Sequence, residues 1–138
     1  MHSLIPNLGV ENIAQTVAYY QEHFGFTLQM AVNDKYESAN TLDESQNYLW
    51  AMVQNGGVTL MLQQRESLKA DVGVSFETLG ASASFYIAVE DADALYESLK
   101  NGIEIVKPIE TSWYGQREFY IRDINGYVLG FSSSAPKQ

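Results

Sequence analysis

The sequence predicts an α+β protein built from two tandem β-α-β-β-β modules. Three observations carry that expectation. Helical periodicity appears twice, each time after a short β-rich run, and three further β-rich runs follow each helix. Segments of the first half also recur in the second: Val10-Glu11-Asn12 lines up with Val89-Glu90-Asp91 at an offset of 79, and Gly57-Val58-Thr59-Leu60 with Gly126-Tyr127-Val128-Leu129 at 69. Neither half could bury a sheet face alone, so residues 1–138 are expected to form a single domain. Its first module spans about 1–64, a linker about 65–80 and the second module about 81–134.

The elements follow in order. Leu4 to Val10 reads as a strand, and Asn12 caps a helix whose apolar residues Ile13, Val17, Tyr20 and Phe24 share one face before Gly25 closes it. Phe26 to Val32 is extended, and the polar stretch Asn33 to Gln46 is a surface loop. Tyr48 to Val53 and Val58 to Gln63 form a hairpin around Asn55-Gly56-Gly57, residues that tolerate the positive φ of tight turns. The segment Arg65 to Gly80, rich in Gly, Ser and charge, is the linker. In the second half, Ala83 to Val89 is a strand, Asp91 to Lys100 a helix ending near Gly102, and Ile103 to Pro108 a strand. Arg117 to Arg122 and Tyr127 to Ser132 make the last hairpin around Asp123-Ile124-Asn125-Gly126.

Composition restricts function. No apolar run approaches the roughly 20 residues of a membrane span, and Met1 to Val10 lacks the features of an export signal, so a soluble cytoplasmic protein is expected. The chain has no cysteine, which excludes disulfides and thiolate metal ligands. A net charge of -9 repels polyphosphate and anionic bilayers, so neither nucleic acid nor membrane is an expected partner; the acidity suits solubility and also a cationic ligand. His2 lies near a frayed end and His23 in the last turn of a helix, both read as surface residues, and Glu11 and Glu90 as acids favouring helix N-termini.

The doubled unit, with Ile5-Pro6-Asn7-Leu8-Gly9-Val10, Tyr19-Tyr20, Phe24-Gly25-Phe26 and the run Gly115-Gln116-Arg117-Glu118-Phe119-Tyr120-Ile121-Arg122-Asp123-Ile124-Asn125-Gly126-Tyr127, resembles the vicinal-oxygen-chelate superfamily of glyoxalases, dioxygenases and bleomycin-resistance proteins. The resemblance implies the fold of that superfamily, with both sheets forming one cup. It also implies a homodimer. Metal-dependent members hold a divalent cation through His and Glu on the first and fourth strands of each half, positions that carry over to Ile5, Met61, Ser84 and Gly130 here. None of these side chains suits a hard cation, so neither a metal nor another cofactor is expected.

Strand alternation from Met61 and Gly130 turns Thr59, Gln63, Val128 and Ser132 inward as well. Pairing across tightly closed hairpins adds Tyr48, Trp50 and Met52 in the first half, and Arg117, Phe119 and Ile121 in the second, while Asn7 and Tyr86 accompany Ile5 and Ser84. These aromatics either fill the cup as core or line a cavity, and the small residues Ser84 and Gly130 favour a cavity. Arg117 needs an anionic partner, either a ligand or an internal acid such as Glu118 or Glu110, and Trp113-Tyr114-Gly115 rims the mouth.

The leading reading is a protein that binds or sequesters a small organic ligand, aromatic and either neutral or cationic, through Asn7, Tyr48, Trp50, Met52, Met61, Gln63, Ser84, Tyr86, Trp113, Arg117, Phe119 and Gly130, without catalytic residues. The alternative is a metal-independent isomerase or lyase, whose acid-base chemistry depends on a tyrosine or on Glu118 turning inward. A metal-dependent glyoxalase or dioxygenase stands third.

Overall fold

Local chemistry starts each element. The Asn12 side chain accepts a hydrogen bond from the Gln15 backbone N–H (2.9 Å), and Gly25 ends the helix at φ 70°, in the left-handed region that a side chain would strain. A computed structural model describes residues 1–136, which form two units, Met1–Leu79 and a second beginning at Gly80. No helix among them is long and apolar enough to cross a membrane.

The first unit runs β1 (Asn7–Val10), α1 (Ile13–Phe24), β2 (Thr27–Asn33), β3 (Ser38–Ala39), β4 (Tyr48–Asn55), β5 (Val58–Gln64) and α2 (Arg65–Val72). Its sheet has the order β1-β5-β4-β2-β3, with β1 parallel to β5 and the other pairs antiparallel. One face buries Leu8, Val10, Ala51, Val53, Leu60 and Leu62 on the side of α1, which contributes Ile13, Val17, Tyr20 and Phe24. The other face carries a row Asn7, Met61, Met52 and Met30, and beside it a row Gly9, Gln63, Trp50 and Val32.

The second unit runs β6 (Ser84–Ala88), α3 (Ala92–Leu99), β7 (Glu104–Thr111), β8 (Gln116–Arg122) and β9 (Val128–Ser134), ordered β6-β9-β8-β7. Its core is Phe119, Ile121, Leu129 and Phe131, with Ala92 and Leu99 of α3, and Tyr96 meets Phe119 edge-on at 5.2 Å between centroids. The internal repeat survives at the level of register: Asn7 pairs with Met61, and Tyr86, 79 residues on, pairs with Gly130, 69 residues on.

Three expectations change. β1 begins at Asn7 and leaves Ile5 outside the strand. The expected linker instead begins with α2, capped by the Gln64 side chain, which accepts from the N–H groups of Glu66 and Ser67, and closed by Gly73 at φ 71°. Leu68, Phe76 and Leu79 gather over Gly9, where an added Cβ would lie 3.1 Å from Leu68 Cδ2. That segment therefore covers one end of the open face, and a methyl group at Gly9 would require the Leu68 side chain to give by a few tenths of an ångström.

The third change is the face of β8. Asn55 and Val58 pair across two loop residues, whereas Arg122 and Val128 pair across five, Asp123 to Tyr127. The longer loop is built around Asp123, whose Oδ1 accepts from the N–H groups of Asn125 (2.8 Å) and Tyr127 (2.9 Å). Adding an odd number of residues exchanges the two faces of a strand. Arg117, Phe119 and Ile121 consequently face α3, and Gln116, Glu118, Tyr120 and Arg122 take the opposite, open face.

Candidate functional site

In the first unit the sheet's open face and α2 flank an open cleft of about 640 Å³. Val32, Leu49 and Trp50 form its apolar floor and Ala70 part of the facing wall; Glu66 and Asp71 bring carboxylates from α2. A hydrogen-bonded chain fixes its polar end: Asn7 Nδ2 donates to Gln63 Oε1 (2.9 Å), and Gln63 Nε2 donates to Ser67 Oγ (3.0 Å) and more weakly to Asp71 Oδ2 (3.4 Å). Glu66 is engaged by Lys69 at 3.3 Å, but Asp71 has no cationic partner among the described residues. Tyr36, exposed and at φ 62°, stands at the edge.

Other expected residues of this half lie elsewhere. The shift in pairing between Val32 and Asn33 moves Tyr48 out of line with Trp50; it lines a second cleft of about 650 Å³ beside Asn12 and Ile13, and its hydroxyl accepts from the Asp43 N–H at 2.7 Å. Met52 lies in a shallow depression with Met30 at the β3 side of the sheet. Met61 and Asn7 share the open face with Trp50 but do not line its cleft.

In the second unit the open face centres on Glu118. This carboxylate is only 3% exposed, and the hydroxyls of Tyr86 and Tyr114 donate to its two oxygens at 2.6 and 2.5 Å. Its own bond to Glu118, followed by loss of hydration, pushes the Tyr114 phenol above the ordinary tyrosine range; burial, then the Glu118 charge, raises Tyr120. Gly130 lies between Tyr86 and Tyr120 in register, and a Cβ there would come within 2.5 Å of Tyr120 Cε1. The ring of Tyr120 thus occupies the volume that Gly130 was expected to leave open. Ser84 is exposed at the start of β6, and Trp113, 95% exposed, meets Tyr114 edge-on at 5.2 Å.

Arg117 and Phe119 do not belong to this face. The Arg117 guanidinium grips Asp93 of α3 through Nε to Oδ2 (3.1 Å) and Nη2 to Oδ1 (2.6 Å), so its partner is neither Glu118 nor Glu110. Phe119 is fully buried core. Ser67 and Asp71 beside the first cleft, and Tyr120 on the open face of the second unit, were not revealed by periodicity; counting the residues of the Asp123 loop would have placed Tyr120, and Glu66 with Lys69 ahead of Gly73 was the available mark of α2.

The superfamily's metal finds no fit here. Ile5, Met61, Ser84 and Gly130 offer no imidazole or carboxylate, Gly130 is roofed by Tyr120, and no three or more His, Cys, Asp or Glu among the described residues are grouped to hold an ion. The model of the Glyoxalase/Bleomycin resistance protein/Dioxygenase superfamily nonetheless matches residues 3–131. The chain belongs to that superfamily. Solved structures share the fold at low identity. A glyoxalase-related enzyme from Fulvimarina pelagi aligns with TM-score 0.72 and 18% identity over 96% of this chain and 88% of that one. TioX from Micromonospora sp. ML1 gives 0.65 and 19% over 99% and 98%. The bleomycin-binding protein of Streptomyces verticillus, solved with copper(II)-bleomycin, gives 0.60 and 21% over 99% and 98%. No curated protein matches by sequence.

Proposed function

We propose that this member of the superfamily binds a flat organic cation in the cleft between Trp50 and α2, without chemical conversion. The observation that carries the reading is the composition of that cleft: an indole and aliphatic floor for stacking, a Gln63 amide held in place by its neighbours, and the Asp71 carboxylate without a cationic partner. Its volume of about 640 Å³ lies in the range of small-molecule sites. An aromatic face beside a carboxylate favours a cationic ring system over a neutral one, and the net charge of -9 adds long-range attraction. The structural neighbour that carries copper(II)-bleomycin supports ligand binding as a use of this fold. The reading includes a cytoplasmic homodimer, which light scattering on the purified protein checks.

The test is titration with naphthylmethylammonium and its neutral counterpart naphthylmethanol, followed by tryptophan fluorescence. Saturable quenching by the cation is expected. It weakens by at least about tenfold in Trp50→Ala, observed by calorimetry, and Asp71→Asn removes the preference for the charged probe. Equal binding of both probes, or unchanged affinity in both variants, overturns the proposal.

A further inference from the structure

We propose that the open face of the second unit holds a binding site for an organic ammonium group, formed by the Tyr86, Tyr114 and Trp113 side chains over the Glu118 carboxylate. The inference does not rest on the Trp50 cleft. It starts from the hydroxyl protons. A phenol has one hydrogen to donate, and those of Tyr86 and Tyr114 are both engaged by Glu118, at 2.6 and 2.5 Å. Each phenol oxygen can therefore enter a further hydrogen bond only as an acceptor, polarised by the carboxylate behind it, and the Tyr114 hydroxyl also lies within reach of those of Tyr86 and Tyr120. A ligand recognised there must bring N–H or O–H donors.

Charge selects among donors. The cations on the same face are committed elsewhere, Lys107 to Glu110 at 2.7 Å and Arg122 to Glu104 at 3.1 Å, and Arg117 faces α3. Among the described residues no Lys or Arg reaches ion-pair distance of Glu118; the buried carboxylate is met by the two phenol hydrogen bonds and, from farther off, by the charge of Lys107, whose own contact is with Glu110. A cationic donor completes that balance, whereas an anion is repelled.

Shape supports the same ligand. Tyr86 and Tyr114 are about half exposed and Trp113 almost wholly so, and the Trp113 and Tyr114 rings meet edge-on at 5.2 Å, an aromatic surface of the kind that attracts alkylammonium groups. The internal repeat strengthens the contrast between the units. Glu118 pairs with Ser132 as Trp50 pairs with Gln63, so one position of the repeat is a stacking surface in the first unit and an anion in the second.

The experiment is a titration of the full chain with n-butylammonium, n-butanol and butyrate, read from NMR shifts of the Trp113 indole N–H and the tyrosine rings. Saturable shifts with n-butylammonium alone are expected. Glu118→Gln, nearly the same shape, should weaken the dissociation constant by at least about tenfold. Tyr86→Phe and Tyr114→Phe, which keep the charge and the rings, should each weaken it several-fold. Unfolding of Glu118→Gln would leave the two phenylalanine variants to decide. Equal response to n-butanol, stronger binding of butyrate, or full affinity in both phenylalanine variants overturns the proposal.

Discussion

Replacing Gly130 by alanine tests the geometry of the second unit directly. The new Cβ would lie 2.5, 3.0 and 3.1 Å from Cε1, Cδ1 and Cζ of Tyr120, so the ring must retreat by about 1 Å to reach an ordinary van der Waals separation. Overpacking of this kind costs about 1–3 kcal/mol, against which removing a glycine from a strand interior recovers about 0.5–1 kcal/mol. The expected net loss is about 1–2 kcal/mol, or some 3–6 °C in Tm for a chain of this size. Urea denaturation followed by far-ultraviolet circular dichroism measures it. The decisive comparison is the same substitution in a Tyr120→Ala background, where the clash is gone and Gly130→Ala should be neutral or mildly stabilising. If the two substitutions add within about 0.5 kcal/mol, the ring does not lie over Gly130 and the reasoning is refuted.

Leu62→Ala empties a fully buried position of the first sheet and should cost about 2–5 kcal/mol in the same assay. Asn12→Ala removes the cap of α1 and should cost about 0.5–2 kcal/mol, with Asn12→Ser close to the parent. Asp93 is held below the usual carboxylate range, first by its hydrogen bond from Arg117, so its contribution is present above the unfolded value of about 3.9 and is lost as pH falls through the lower folded value. Asp93→Asn should therefore flatten the loss of Tm as pH falls below the unfolded carboxylate value of about 3.9; acid limbs parallel to the parent's would show that the Arg117 pair adds nothing. Half exposure of Asp93 keeps this effect small.

The sequence by itself determined the two β-α-β-β-β repeats and the order of their elements. Helix α1 was legible because Ile13, Val17, Tyr20 and Phe24 fall on one face between a capping Asn12 and a left-handed Gly25, all of it information within one or two turns. The two-residue turn after Asn55 likewise placed Asn7, Trp50, Met52, Met61 and Gln63 on one face, since pairing followed from the turn itself. Tertiary structure decided the rest. Helix α2 has no buried residue and a glutamine cap, so its local signal was faint, and it stands where Leu68 can cover Gly9. The face of β8 depended on how many residues Asp123 gathers into its loop before pairing resumes, a single count that exchanged Arg117 and Phe119 for Glu118 and Tyr120. Periodicity records that a strand has two faces; only closure of the hydrogen-bonded ladder chooses which of them meets the helix.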